Sequence, residues 1–74
     1  MQTLYNAPMR LTLNAEEIDV PASISLADLI EQRGLADAAC ATEVNKALVP
    51  KADRPSTQLD EGDCIEIVTL VGGG

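Results

Sequence analysis

Ser25-Leu26-Ala27-Asp28-Leu29-Ile30-Glu31-Gln32-Arg33-Gly34 decides the fold, because the stretch carries both ends of one short helix. Ser25 is a capping residue, Asp28 stands three residues on in a weaker form of the capping box, and Ile24 is placed to staple onto Leu29. Leu26, Leu29 and Ile30 fall on one helical face. Arg33 suits the negative end of the helix dipole, and Gly34 is the expected left-handed stop. Residues 26–33 make only about two turns. A helix that short needs a sheet to pack on, and the flanking sequence supplies one.

Upstream, Met9-Arg10-Leu11-Thr12-Leu13 alternates apolar and polar with period two, the signature of a half-buried strand. Asn14-Ala15-Glu16 reads as a turn and Glu17-Ile18-Asp19-Val20 alternates again, so the pair is expected to form a hairpin that Pro21 ends. Downstream of a small-residue connection, residues 40–45 read as a third strand, Asn45-Lys46 as a turn, and Leu48-Val49 as a short fourth strand closed by Pro50. Residues 51–57 are polar and hold Pro55, which predicts a loop, with Leu59 anchored inward. Glu61-Gly62-Asp63 predicts a turn, and residues 64–71 form the last and strongest strand. Strand, strand, helix, strand, strand, strand is an α+β order. One helix across a mixed sheet of four to five strands, with the first hairpin and the last strand central, is the β-grasp arrangement. The expected organisation is an N-terminal extension at 1–8, a β-grasp domain at 9–71 and a flexible glycine tail at 72–74.

Composition narrows the function. Seventy-four residues make one small domain, with no room for a second domain or a deep cleft. The chain is 46% hydrophobic and 23% charged, an ordinary globular balance. No apolar run approaches the roughly 20 residues that span a bilayer, and residues 1–8 lack the pattern of a signal peptide. The expected location is the cytoplasm, with no membrane partner. Twelve acidic and five basic residues give a net charge of -7, with no histidine. That balance argues against nucleic acid, whose binding needs Lys and Arg on phosphates, and against ATP binding by this chain alone. It would steer the chain toward a partner with a basic surface, or else serves only to keep a small protein in solution. Cys40 and Cys64 do not form a metal-binding pattern, since there is no CxxC and no histidine to complete a tetrahedral set. Beside strand-like sequence, both are expected to be small buried packing residues. Asp60, Glu61 and Asp63 are acidic residues on a turn and read as a solvated surface. No nucleophile–base pair is evident, which argues against an enzyme.

The last strand carries two further signals. Ile65 and Ile67 alternate toward the core, and then Val68, Leu70 and Val71 break the alternation. With one sheet face covered by the helix, Val68 and Leu70 are expected either to lie exposed as the apolar centre of a docking site or to be covered by a neighbouring loop. Directly after them come Gly72-Gly73-Gly74. With Gly at ~7% of average sequence, three at one prescribed place occur in roughly three chains in ten thousand. Such a thread is thin and pliable, suited to entering a partner's tunnel and presenting the Gly74 carboxyl for chemistry.

Taken together, residues 9–74 resemble the ubiquitin-like sulfur carriers of bacterial thiamine biosynthesis, the ThiS family. The resemblance rests on Met9-Arg10-Leu11-Thr12-Leu13-Asn14, Leu26-Ala27-Asp28-Leu29-Ile30, Val44-Asn45, Val49-Pro50 and Gly62-Asp63-Cys64-Ile65-Glu66-Ile67-Val68 running into the glycines. The small subunit of molybdopterin synthase (the MoaD family) is the alternative, being generally longer with aromatic and proline residues before its two glycines. A plain ubiquitin-like binding module is the alternative from another class. Residues 1–8 and the third glycine, Gly72, depart from the family pattern, whose functional motif maps onto Gly73-Gly74. The resemblance implies that an adenylating, ThiF-like enzyme uses Mg and ATP to activate the Gly74 carboxylate. Sulfur supplied through a cysteine desulfurase then leaves a thiocarboxylate, which a ThiG-like thiazole synthase consumes. It implies no cofactor bound by this chain, no catalytic residue and no metal. Gly72, Gly73 and Gly74 would enter the partner, and Val68, Leu70 and Val71 would dock against it.

Overall fold

The computed structural model describes residues 8–70. Two hairpins flank the helix. β1 (Met9–Leu13) and β2 (Glu16–Val20) pair antiparallel through Asn14-Ala15, a tighter turn than the three residues expected, so Glu16 joins β2. β3 (Cys40–Val44) and β4 (Ala47–Leu48) pair through Asn45-Lys46. In both turns the two central residues have positive φ, 49° and 68° at Asn14 and Ala15, 51° and 72° at Asn45 and Lys46. That is the two-residue turn whose twist matches the strands it joins, and asparagine is favoured at its first position. β4 starts one residue earlier than expected because the tight turn leaves Ala47 opposite Val44.

The helix, α1 (Leu26–Gln32), has the anticipated start: Ser25 Oγ accepts from the Asp28 N–H and Asp28 Oδ2 accepts from the Ser25 N–H. Its end comes one residue sooner than expected, with Arg33 as the cap and Gly34 at φ 74°. Residues Lys51–Ser56, expected as loop, form a 3-10 helix opened by Pro50. β5 (Cys64–Thr69) ends before Leu70.

The five strands run in the order β2-β1-β5-β3-β4, with β1 and β5 parallel and the other neighbours antiparallel. This is the mixed α+β sheet expected, with one correction: β2 is an edge, and only β1 of the first hairpin is central. An edge position suits Glu16, Glu17 and Asp19, whose charges discourage further strand pairing. α1 covers one face. Leu11, Leu13, Val20, Ile65 and Ile67 from the sheet meet Ile24, Leu26, Leu29, Ile30 and Leu59, making an aliphatic core without Phe or Trp. Each such side chain contributes about 1.5–3 kcal/mol on burial. Leu59 is anchored as its sequence position suggested. Cys64, by contrast, is exposed, and Cys40 is half-buried against the core. Cys64 shares strand parity with Glu66 rather than with Ile65, so the pleat turns it away from α1.

Candidate functional site

The strand register brings Val68 and Leu48 to the sheet face that α1 does not cover, and the exposed Leu70 follows directly after β5. Val68 lies opposite Ala41, and two residues along Glu66 lies opposite Glu43, which itself faces Leu48. Val68, Leu70 and Leu48 are 56%, 55% and 67% exposed, so no loop among the described residues covers them. Leu48 was not anticipated in this patch, because only the β3–β4 register reveals which way it faces. Val71, Gly72, Gly73 and Gly74 lie outside the described residues.

β5, which carries the patch, is held by side chains as well as by backbone. The Asn14 N–H donates to Ile65 O at 2.9 Å, and there β1 turns away. Past that point the Asn14 side chain takes over: Ile67 N–H donates to Asn14 Oδ1 at 2.9 Å and Asn14 Nδ2 donates to Ile67 O at 3.2 Å. An amide so placed continues the ladder by one residue and satisfies both polar groups of Ile67. Asn45 does the same work at the opposite end of β5. Its Oδ1 accepts from Cys64 N–H at 2.9 Å, and its Nδ2 donates to Asp63 Oδ1 at 3.0 Å. Asn14 and Asn45 were legible as turn formers, but nothing in the local pattern announced their bonds to a strand some 20–50 residues away.

Arg54 braces β3, the strand that lies beside the end of β5. Although charged, it is only 8% exposed. Its Nη2 donates to Cys40 O at 2.7 Å and its Nε to Thr42 Oγ1 at 3.3 Å, while Thr42 Oγ1 donates to Val49 O at 3.2 Å. No carboxylate pairs with Arg54 among the described residues. Cys40 lies opposite Thr69, and Leu70 N–H donates to Ala39 O at 2.8 Å, so the chain leaves the sheet from a braced point.

The acidic turn has structural work. Asp60 N–H donates to Asp63 Oδ2 at 2.8 Å, and Arg10 N–H donates to Glu61 Oε1 at 2.9 Å. No cluster of potential metal ligands occurs among the described residues, and no helix among them is long and apolar enough to cross a membrane. On the other half of the open face, the Asp19 hydrogen bond and charge, with the charge of Glu17, hold the Arg10 guanidinium above its ordinary pKa.

Several known proteins are similar to this chain. A thiazole synthase of Paramagnetospirillum magneticum is 35% identical over 66 residues, which are 89% of this chain and 20% of that protein. The chain therefore spans about one-fifth of the length of the thiazole synthases it matches. The uncharacterized protein ycf40 of Porphyra purpurea is 30% identical over 71 residues, covering 96% of this chain and 100% of that one. The crystal structure of a thiamine biosynthesis protein (ThiS) from Geobacter metallireducens superposes with a TM-score of 0.74 at 26% identity, covering 89% of this chain and 100% of that chain. The sequence model of the ThiS family matches residues 3–74, nearly the whole length, and the chain belongs to that family.

Proposed function

We propose that this chain is a sulfur carrier of thiamine biosynthesis, and that Gly74 bears the sulfur as a C-terminal thiocarboxylate. The observation that carries the reading is the family match, whose range of residues 3–74 takes in Gly73 and Gly74. A carboxylate is a poor acyl donor until one oxygen becomes a good leaving group. With no histidine in the chain, that activation falls to a partner. An adenylating, ThiF-like enzyme using Mg and ATP forms the acyl-adenylate at Gly74 with release of pyrophosphate. A persulfide supplied through a cysteine desulfurase route displaces AMP to give an acyl disulfide, and a second thiol then cleaves its S–S bond, leaving the thiocarboxylate and a disulfide. A ThiG-like thiazole synthase then takes the sulfur. The chain is a carried co-substrate and not itself a catalyst.

The open face supports this reading because it leads straight into the tail. Val68 and Leu70, with Val71 next in sequence, would seat the domain on a partner while Gly72, Gly73 and Gly74 enter its active site. Thiazole synthase fits as one such partner, since proteins of that name contain a segment similar to nearly the whole of this chain. The test is the intact mass of the protein from its own cells. A gain corresponding to exchange of one oxygen for sulfur, absent when Gly74 is deleted, is the expected result. Pyrophosphate exchange with the adenylating enzyme should likewise vanish on deletion of Gly74 or on Gly73→Val. Undiminished exchange by either variant would overturn the assignment of Gly74.

A further inference from the structure

The two halves of the open face treat charge differently. On the β1–β2 half, the register sets Arg10 opposite Asp19, and Arg10 Nε donates to Asp19 Oδ1 at 3.1 Å with Glu17 Oε1 3.8 Å from Nη1. On the β3–β5 half, the register sets Glu43 opposite Glu66. Side chains so placed have Cβ atoms about 4.5–5.5 Å apart, and like charges there destabilise a sheet. Neither carboxylate forms a salt bridge among the described residues. Arg10 is the one Lys or Arg within the five strands, and it is already engaged.

The isolated domain gains nothing from this acidic pair. Its neighbours make it informative: Leu48 faces Glu43 on one side, and the Ala41–Val68 row lies one step along the same face. A partner that covers Leu48 and Val68 must cover the two carboxylates as well. Burying two like charges without a counter-ion costs several kcal/mol per ion, so a purely apolar partner surface does not fit this face. Adjacent strands are about 4.8 Å apart. A guanidinium, with donors on two edges of one plane, can reach a carboxylate on each strand, which a compact ammonium does less well.

We propose that the thiazole-synthase surface covering Leu48 and Val68 presents an arginine between Glu43 and Glu66. This rests on the docking reading above and specifies what the partner must carry. The pair then sets partner choice, since an apolar surface lacking the cation is rejected by the uncompensated carboxylates.

The experiment measures binding of this chain to purified thiazole synthase from the same cells, at low and at high salt. The variants are Glu43→Gln, Glu66→Gln, the double variant and Val68→Glu. Each Gln variant should bind at least tenfold more weakly at low salt. Wild-type affinity should fall with salt, and that of the double variant should be nearly flat. Melting temperatures of the unbound Gln variants should be equal to or above that of wild type, which separates lost recognition from lost folding. Melting below wild type by either single variant would overturn the like-charge premise. If Val68→Glu abolishes binding but the double Gln variant binds as wild type, the arginine is refuted and the docking face stands. If Val68→Glu binds as tightly as wild type, both fall.

Discussion

Asn14→Ala tests the logic of the site more directly than any change to an exposed residue. The substitution removes two hydrogen bonds to Ile67, of 2.9 and 3.2 Å. Each is worth about 0.5–1.5 kcal/mol net. It also places alanine at φ 49°, a left-handed conformation that costs most residues roughly 1–2 kcal/mol and that asparagine tolerates. Together these give a loss of about 3 kcal/mol, and a fall in melting temperature on the order of 12–24 °C for a domain of this size. Urea unfolding followed by far-ultraviolet circular dichroism is the suitable assay, since the chain has no tryptophan. Asn14→Gly separates the contributions, because glycine adopts the same φ without strain but makes neither bond. Native-state hydrogen exchange adds a local readout, in which the Ile67 amide should lose protection in both variants. A loss below about 1 kcal/mol for Asn14→Ala, with the Ile67 amide still protected, would show that the side chain does not extend the ladder.

Three further outcomes follow from the same geometry. Ala15→Gly and Lys46→Gly should each stabilise by about 0.5–1 kcal/mol in urea midpoints, the left-handed strain relieved less the added chain entropy of glycine; destabilisation by either would mean that its turn is not strained. Arg54→Ala should destabilise by about 2–4 kcal/mol, since hydrogen bonds to charged groups are worth about 1.5–3 kcal/mol each, and Arg54→Lys should not recover it because the two bonds leave from separate nitrogens; full recovery by lysine would refute the bracing role. The double variant Cys40→Ala, Cys64→Ala should still accept sulfur at Gly74: Cys64 and Leu70 are six residues and about 20 Å apart along extended chain, beyond the roughly 14 Å that residues 71–74 can span, and Cys40, although opposite Thr69, is half-buried against the core; a folded, adenylated variant that never gains sulfur would make a cysteine the relay.

What could be read from the sequence was whatever neighbours along the chain decide. The cap at Ser25 and Asp28, the stop at Gly34 and the turn at Asn45-Lys46 involve groups within four residues of one another, so residue type alone predicts them. The inward alternation of Ile65 and Ile67 was equally legible, because a strand with one buried face has period two. The break of that pattern at Val68 and Leu70 marked a candidate surface, but only the packing of α1 on the opposite face shows these residues to be exposed. The edge position of β2, the exposure of Cys64 and the facing of Leu48, Glu43 and Glu66 follow from which strands pair and in what register. Arg54 looked like a loop residue because its composition is polar. Its burial depends on Cys40 and Thr42, which are 14 and 12 residues away. The Asn14 bonds to Ile67 cross 53 residues. The sequence by itself therefore determined the five strands, the α-helix and the family resemblance, though not the 3-10 helix at Lys51–Ser56. Tertiary structure decided which side chains share a face and which polar groups meet, because those pairings exist only once distant strands lie side by side.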